Sequence, residues 1–299
     1  MDTVTAEITE TKTISVREKF SAYLELTKPR IAFMLVLISA AGFYLGGGTT
    51  FDPGLFGHSM LAIALLAFGV ATLNQYWERN IDPLMKRTEK RPIPSKRVTP
   101  NEALIFGIGL CATSEIYLYF VVNPLTAFLG IIVIVGYVFL YTPLKTRTTA
   151  STAIGAIPGA MPPLMGWTAA SGEITLGAWF LFSILFLWQF PHFLAIASIY
   201  KEEYRNAGIK MLPVVEKEGK LTALQIVVFA VLLVPTSLAP FFLGISGVYY
   251  LVGAILLGLW ILFVSLQAAR AKSVVKARKL LLVSVLYLPI VFALMVFNH

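Results

Sequence analysis

Gly57-His58-Ser59-Met60-Leu61-Ala62-Ile63-Ala64-Leu65-Leu66-Ala67-Phe68-Gly69-Val70-Ala71-Thr72-Leu73-Asn74-Gln75-Tyr76-Trp77-Glu78 is an apolar run that ends in two amides and a carboxylate. About 20 residues of such composition cross the roughly 30 Å hydrocarbon core of a bilayer as a helix. Comparable runs lie near 31–48, 101–121, 124–142, 150–170, 174–198, 222–243, 247–267 and 279–297. Nine spans are therefore predicted, an all-α polytopic membrane bundle. An odd number places the termini on opposite sides.

Composition agrees. Of 299 residues 57% are hydrophobic and 13% charged, against about 25% charged in soluble domains. All 24 Lys and Arg residues fall in the N-terminal segment or in the loops after spans two, four, six and eight. The opposite loops, near 49–56, 122–123, 171–173 and 244–246, contain none. Basic short loops stay in the cytoplasm, so the N-terminus is expected inside and the C-terminus outside. Loop cations beside an anionic leaflet account for the net charge of +8 without a nucleic-acid partner.

Residues 1–16 are polar and carry Asp2, Glu7 and Glu10. They lack the apolar segment of a signal peptide and the acid-poor character of a transit peptide. They are expected to form a disordered cytoplasmic tail before one transmembrane domain, 17–299, whose first span is an uncleaved anchor. The single cysteine, Cys111, excludes an internal disulfide and a Cys-based metal site; it reads as small core filler.

At the end of span two, Asn74, Glu78 and Asp82 recur every four residues and would line one helix face. Carboxylates at a helix C-terminus oppose the macrodipole, and Asn74 lies within the apolar run, where a polar group needs a partner. Such oxygen donors suit Mg²⁺, which takes one or two carboxylates and completes its shell with water and phosphate. Lys86, Arg87, Lys90 and Arg91 follow directly, donors suited to phosphate oxygens. A second cluster, Tyr200-Lys201-Glu202-Glu203-Tyr204-Arg205, ends span six, and Lys145 and Arg147 end span four. The two longer loops, 77–100 and 199–220, lie four spans apart with similar content, a faint internal repeat.

The run from Asn74 through Asp82-Pro83-Leu84-Met85-Lys86-Arg87-Thr88 to Arg91-Pro92 resembles the first signature of the intramembrane (UbiA-type) prenyltransferases. Its tail is similar to that of the haem O synthase branch. Further matching pieces are Leu26-Thr27-Lys28-Pro29-Arg30-Ile31, Pro162-Pro163-Leu164-Met165-Gly166-Trp167, Trp188-Gln189-Phe190-Pro191-His192-Phe193 and Ala207-Gly208-Ile209-Lys210-Met211-Leu212-Pro213-Val214-Val215, in order over residues 24–215. The sequence departs from the pattern at Gln75 and Glu78, where the superfamily usually has Asp, and at Glu202 and Glu203, which stand between tyrosines in place of an aspartate run.

The resemblance implies Mg²⁺ held by Asn74, Glu78, Asp82, Glu202 and Glu203, with Lys86, Arg87, Lys145, Arg147 and Arg205 on the diphosphate of farnesyl diphosphate. It implies haem B as acceptor, attacking an allylic cation through a vinyl group, with water completing a hydroxyethylfarnesyl product. It further implies a bacterial plasma membrane and, as partners, a downstream haem-modifying enzyme or oxidase assembly factors.

Of the three histidines, His58 and His299 sit at the outer boundaries. His192, after Pro191 inside span six, is read either as a core histidine satisfied by carbonyls that the proline frees or as a contact to haem. Gly155, Pro158, Gly159, Pro162, Pro163 and Gly166 break span five, as a cavity wall or as tight packing. Glu115, an acid within span three, has no partner that the sequence names. The rival acceptor is a quinone or chlorophyll-type ring. The rival class is a transporter, which would place acids near the bilayer midplane and not at one face.

Overall fold

The computed structural model describes residues 15–48 and 51–299. Of the expected tail, residues 1–14 lie outside this range. Ser15 instead caps the first helix, α1 (Val16–Leu26), through a reciprocal box with Glu18.

The chain continues through α2 (Pro29–Gly46), α3 (Pro53–Glu78), α4 (Pro100–Tyr117), α5 (Pro124–Ile134) and the one-turn α6 (Thr142–Leu144). Then follow α7 (Ser151–Gly159), α8 (Met161–Ser171), α9 (Leu176–Ile199), the short α10 (Lys201–Asn206) and α11 (Leu212–Val215), and finally α12 (Lys220–Phe242), α13 (Val248–Ala271) and α14 (Val274–Phe297). No strand occurs among the described residues. Helix starts follow their local chemistry. Asp52, Thr99 and Asn123 each accept backbone N–H groups at the start of α3, α4 and α5, and a proline follows each one at the first helical position.

Eight helical stretches among the described residues are long and apolar enough to cross a membrane, including Pro100–Val122 and Pro124–Leu144, which each contain a π-helical segment. The expected fifth span is two helices, α7 and α8, parted at Ala160. Pro162 and Pro163 explain the break: neither has an N–H to return to the preceding turn. The glycines of this region serve close approach. A Cβ on Gly166 would meet the Ser39 carbonyl of α2, and one on Gly42 the Pro163 carbonyl of α8. Tight packing is thus what these glycines serve where α2 and α8 meet.

The molecule is apolar outside and partly polar inside. Phe20, Ile105, Phe120 and Phe263 are exposed, while Ser39, Thr72, Ser114, Thr168, Ser237 and Ser265 are buried. That arrangement suits a lipid solvent, where small polar residues allow helices to approach. One contiguous apolar core extends from Ile38 to Met295.

Candidate active site

Helix α3 ends at Glu78, and Asp82 lies beyond it as the first residue of a 3₁₀ turn, Asp82–Leu84. Pro83 dictates this, because a residue before proline is disfavoured in the α conformation. Asn74, Glu78 and Asp82 are nonetheless gathered and buried, with exposures of 1%, 6% and 0%.

Three cations from three different segments meet these oxygens. Lys28 Nζ donates to Asn74 Oδ1 at 2.8 Å. Lys145 Nζ lies 2.5 Å from Glu78 Oε1. Arg91 Nη1 contacts both Asp82 oxygens, at 2.7 and 2.8 Å, and Glu78 Oε2 at 3.2 Å. Thr142 and Gln75 fix the frame. Asn74 Nδ2 donates to Thr142 Oγ1 at 3.2 Å, and Gln75 Nε2 donates to the Leu26 carbonyl at 3.0 Å. The Tyr141 ring lies under Lys145 Nζ, 4.3 Å from its centroid, with Tyr137 edge-on to it at 4.9 Å.

Two carboxylates against three cations leave this cluster with a net positive charge, held largely out of water. Lys28 shows the strain. Its backbone is left-handed at φ 49°, a sparsely populated region for a side-chain-bearing residue. Burial, and then the nearby Arg91 and Lys145, lower its ammonium to about 7. Lys145 is shifted the other way: burial opposes its charge, and Glu78 outweighs that and raises it. Asp82 is raised by burial against the opposing pull of Arg91. The cluster therefore favours an incoming anion at the cations, and its buried oxygens call for positive charge.

The expected residues of the second cluster are placed differently. Helix α9 stops at Ile199, Tyr200 leaves helical geometry, and α10 starts a new direction. Glu202 pairs with Arg205 at the surface, 73% exposed. Glu203 accepts the Arg87 backbone N–H at 3.3 Å. Among the described residues no group of three or more His, Cys, Asp and Glu side chains stands close enough together to hold a metal ion by itself. Asn74, Glu78 and Asp82 still offer the hard oxygen donors that Mg²⁺ takes, and each now carries a cation in that place.

Among the expected phosphate donors, Lys145 and Arg91 stand at the buried cluster. Lys86, Arg87 and Arg147 are exposed, and Arg205 is spent on Glu202. Arg87 is anchored by Tyr204, whose hydroxyl accepts from Nη2 at 3.1 Å, and stacks over Tyr200 at 5.2 Å. Sequence reasoning missed Lys28 as a site residue. Its signal was a lysine before a proline at the foot of the first span, which reads equally as an interfacial anchor. His192 is bonded to Ser284 Oγ at 2.8 Å and stacked on Trp188 at 4.5 Å. Its partner is thus a side chain of α14, not a carbonyl freed by Pro191. Both Glu115 oxygens are buried without a hydrogen-bond partner.

The profile of a family described as the UbiA prenyltransferase family matches residues 35–295. A relative from Solibacter usitatus named protoheme IX farnesyltransferase is 46% identical over 93% of this chain and 98% of its own. One of the same name from Myxococcus xanthus is 47% identical over 80% of this chain and 81% of its own. Among solved structures, a digeranylgeranylglyceryl phosphate synthase superposes with a TM-score of 0.80 at 18% identity, covering 94% of this chain and 98% of its own. A UbiA homologue from Archaeoglobus fulgidus bound to GPP and Mg²⁺ superposes at 0.68 and 17% identity, covering 92% and 99%.

Proposed function

Because the chain belongs to the UbiA prenyltransferase family, we propose that it transfers the farnesyl group of farnesyl diphosphate to a vinyl group of haem B, giving haem O. The observation that carries the reading is the buried cluster of Lys28, Lys145 and Arg91 over Asn74, Glu78 and Asp82. The names of its relatives favour haem over a quinone or chlorophyll-type acceptor, and family membership sets the transporter reading aside.

Lys28, Lys145 and Arg91 bind the diphosphate oxygens, a charge-assisted contact in a site largely closed to water. Asn74, Glu78 and Asp82 would hold Mg²⁺, which when bound supplies neutralisation of the departing diphosphate. The C1–O bond of the donor breaks with its electron pair leaving on the diphosphate. The resulting allylic cation lies beside the rings of Tyr141 and Tyr137, whose faces favour positive charge. The terminal vinyl carbon of haem bonds to C1, and water adds to the adjacent carbon and loses a proton to solvent. Glu203 and Tyr204 position the Arg87 loop over this end of the bundle. His192 is the candidate haem contact, deeper along α9.

Residues 17–299 act in this reading as one transmembrane unit in a bacterial plasma membrane. The paired α7 and α8 form a broken ninth crossing, so the N-terminus faces the cytoplasm and the C-terminus the outside. Incubating the purified protein with farnesyl diphosphate, Mg²⁺ and haem B and measuring the mass of extracted haem tests the proposal. Haem B returned unchanged beside farnesylation of a quinone would replace it.

A further inference from the structure

At the same end of the bundle as Arg87, a cavity of about 450 Å³ opens between α9, α12, α13 and α14. That volume lies within the roughly 300–1,000 Å³ of small-molecule sites. Its floor is apolar, with Ala195, Ala223, Ile226, Ala268, Ala277 and Leu280. Its mouth carries three ammonium groups, Lys201, Lys217 and Lys272. Lys201 and Lys272 end on backbone carbonyls, Glu216 O at 3.5 Å and Glu218 O at 2.7 Å. No ion pair among the described residues involves any of the three. The carboxylates at the mouth are engaged with other donors: Glu202 with Arg205, Glu218 with Lys220 at 2.6 Å, and Glu203 with the Arg87 backbone. The mouth is therefore cationic in effect, above an apolar chamber.

We propose that this cavity is the acceptor's port, in which the two propionates of haem B meet Lys217, Lys272 and Lys201 while the macrocycle enters edge-first over the apolar floor. This rests on haem B being the acceptor. Haem carries its two carboxylates on one edge and its vinyl groups on the opposite half, so holding the propionates at the mouth sends the vinyls inward. Two relationships connect the chamber to the rest of the site. Ala195 lies three residues after His192 on α9, and Leu280 lies four before Ser284 on α14. The His192–Ser284 pair thus sits one turn, about 5 Å, below the floor, between the same two helices. Tyr200 and Glu203 form part of the wall, and these same residues contact Arg87, in the loop between Asp82 and Arg91. A charged mouth over an apolar floor also suits an anionic lipid headgroup. The chamber's position over His192 favours haem.

The test titrates haem B and its propionate dimethyl ester, by absorption, into the purified full chain and into its Lys217→Gln, Lys272→Gln double variant. Both lysines are exposed, so the variant should retain the wild-type melting temperature and farnesyl diphosphate KM. Wild type should bind haem B about tenfold more tightly than the ester, as two rim ion pairs allow, and the double variant should bind both equally weakly. Unchanged haem B affinity in the double variant, or no discrimination against the ester by wild type, overturns the proposal. A loss confined to co-purifying anionic phospholipid would assign the cavity to lipid and overturn it as well. A wild-type chain that makes haem O while its double variant binds haem normally refutes the port alone. A wild-type chain that binds no haem refutes the acceptor assignment with it.

Discussion

Lys145 Nζ and Glu78 Oε1, 67 positions apart in sequence, meet at 2.5 Å, so the carboxylate that could serve a metal is also the counter-ion of a cation that could serve a phosphate. This pairing keeps a buried charge cluster stable before substrate arrives, because an unpaired buried charge is costly. It also means that the two roles cannot be removed independently.

Glu78→Gln and Asp82→Asn should each lower kcat by about 100-fold or more, since each removes an oxygen that Mg²⁺ and the cation cluster share. Both should also lower the melting temperature, because Lys145 or Arg91 is left partly unpaired at a cost of about 1–3 kcal/mol. EDTA should abolish wild-type turnover, and added Mg²⁺ should restore it. Steady-state assays beside thermal melts decide the matter; wild-type turnover in both variants would reduce the cluster to a polar helix cap.

Lys28 gives the reaction a pH signature. Its ammonium, lowered to about 7, is protonated below that value and loses its charge as pH rises through it. A diphosphate binds the protonated form better, so affinity for farnesyl diphosphate should be highest below about pH 7 and fall above it, with net proton uptake on binding near neutrality. Folding has the opposite sign: with its ammonium lowered from 10.5 to about 7 in the folded state, Lys28 costs stability below about 7, and that cost is relieved as pH rises from about 7 toward 10.5. Lys28→Arg, which stays charged, should flatten the dependence. Binding titrations from pH 6 to 9 in both proteins measure it, and parallel curves would exclude Lys28 from the diphosphate site.

The reach of the sequence can be seen at particular residues. The spans follow from hydrocarbon thickness, and Pro83 already places Asp82 past a helix end. The prolines at 162 and 163 signal a break in the fifth span, although its division into two helices appears only in three dimensions. The partners of Asn74 and Glu78 were not legible. Lys28 and Lys145 lie 46 and 67 positions away, and no local pattern encodes such a meeting. Glu202 and Glu203 show a related limit: their composition mirrors the first cluster, but the direction of their short helix is set by tertiary packing around Tyr204, Ala207 and Met85.

His192→Ala should weaken haem binding and lower product formation while farnesyl diphosphate affinity stays near wild type. The ring lies two turns or more before Glu202 along the chain, deeper than the donor cluster, and already has one nitrogen fixed by Ser284. A purely structural histidine would instead lower stability and weaken both substrates alike. Separate affinities, measured with a melting curve, separate these outcomes.

Cysteine labelling from either side should find positions 90, 147, 210 and 276 in the cytoplasm and 299 outside. The Lys210 N–H already donates to the Lys145 carbonyl at 2.7 Å, which brings two of these loops together. His299 bonds the Ile245 carbonyl at 2.7 Å and lies beside Tyr44, at the far end of α2. Labelling of positions 90 and 210 from opposite sides would dismantle the topology and the site together.

The central claim is the identity of the transferred group and its acceptor, and mass spectrometry of haem addresses it most directly. Cells lacking haem O should gain, on expression of this chain, a haem heavier than haem B by one farnesyl group and one hydroxyl group, and the Asp82→Asn chain should not produce it. Haem B alone in both cultures, with the wild-type protein folded and in the membrane, would contradict the account.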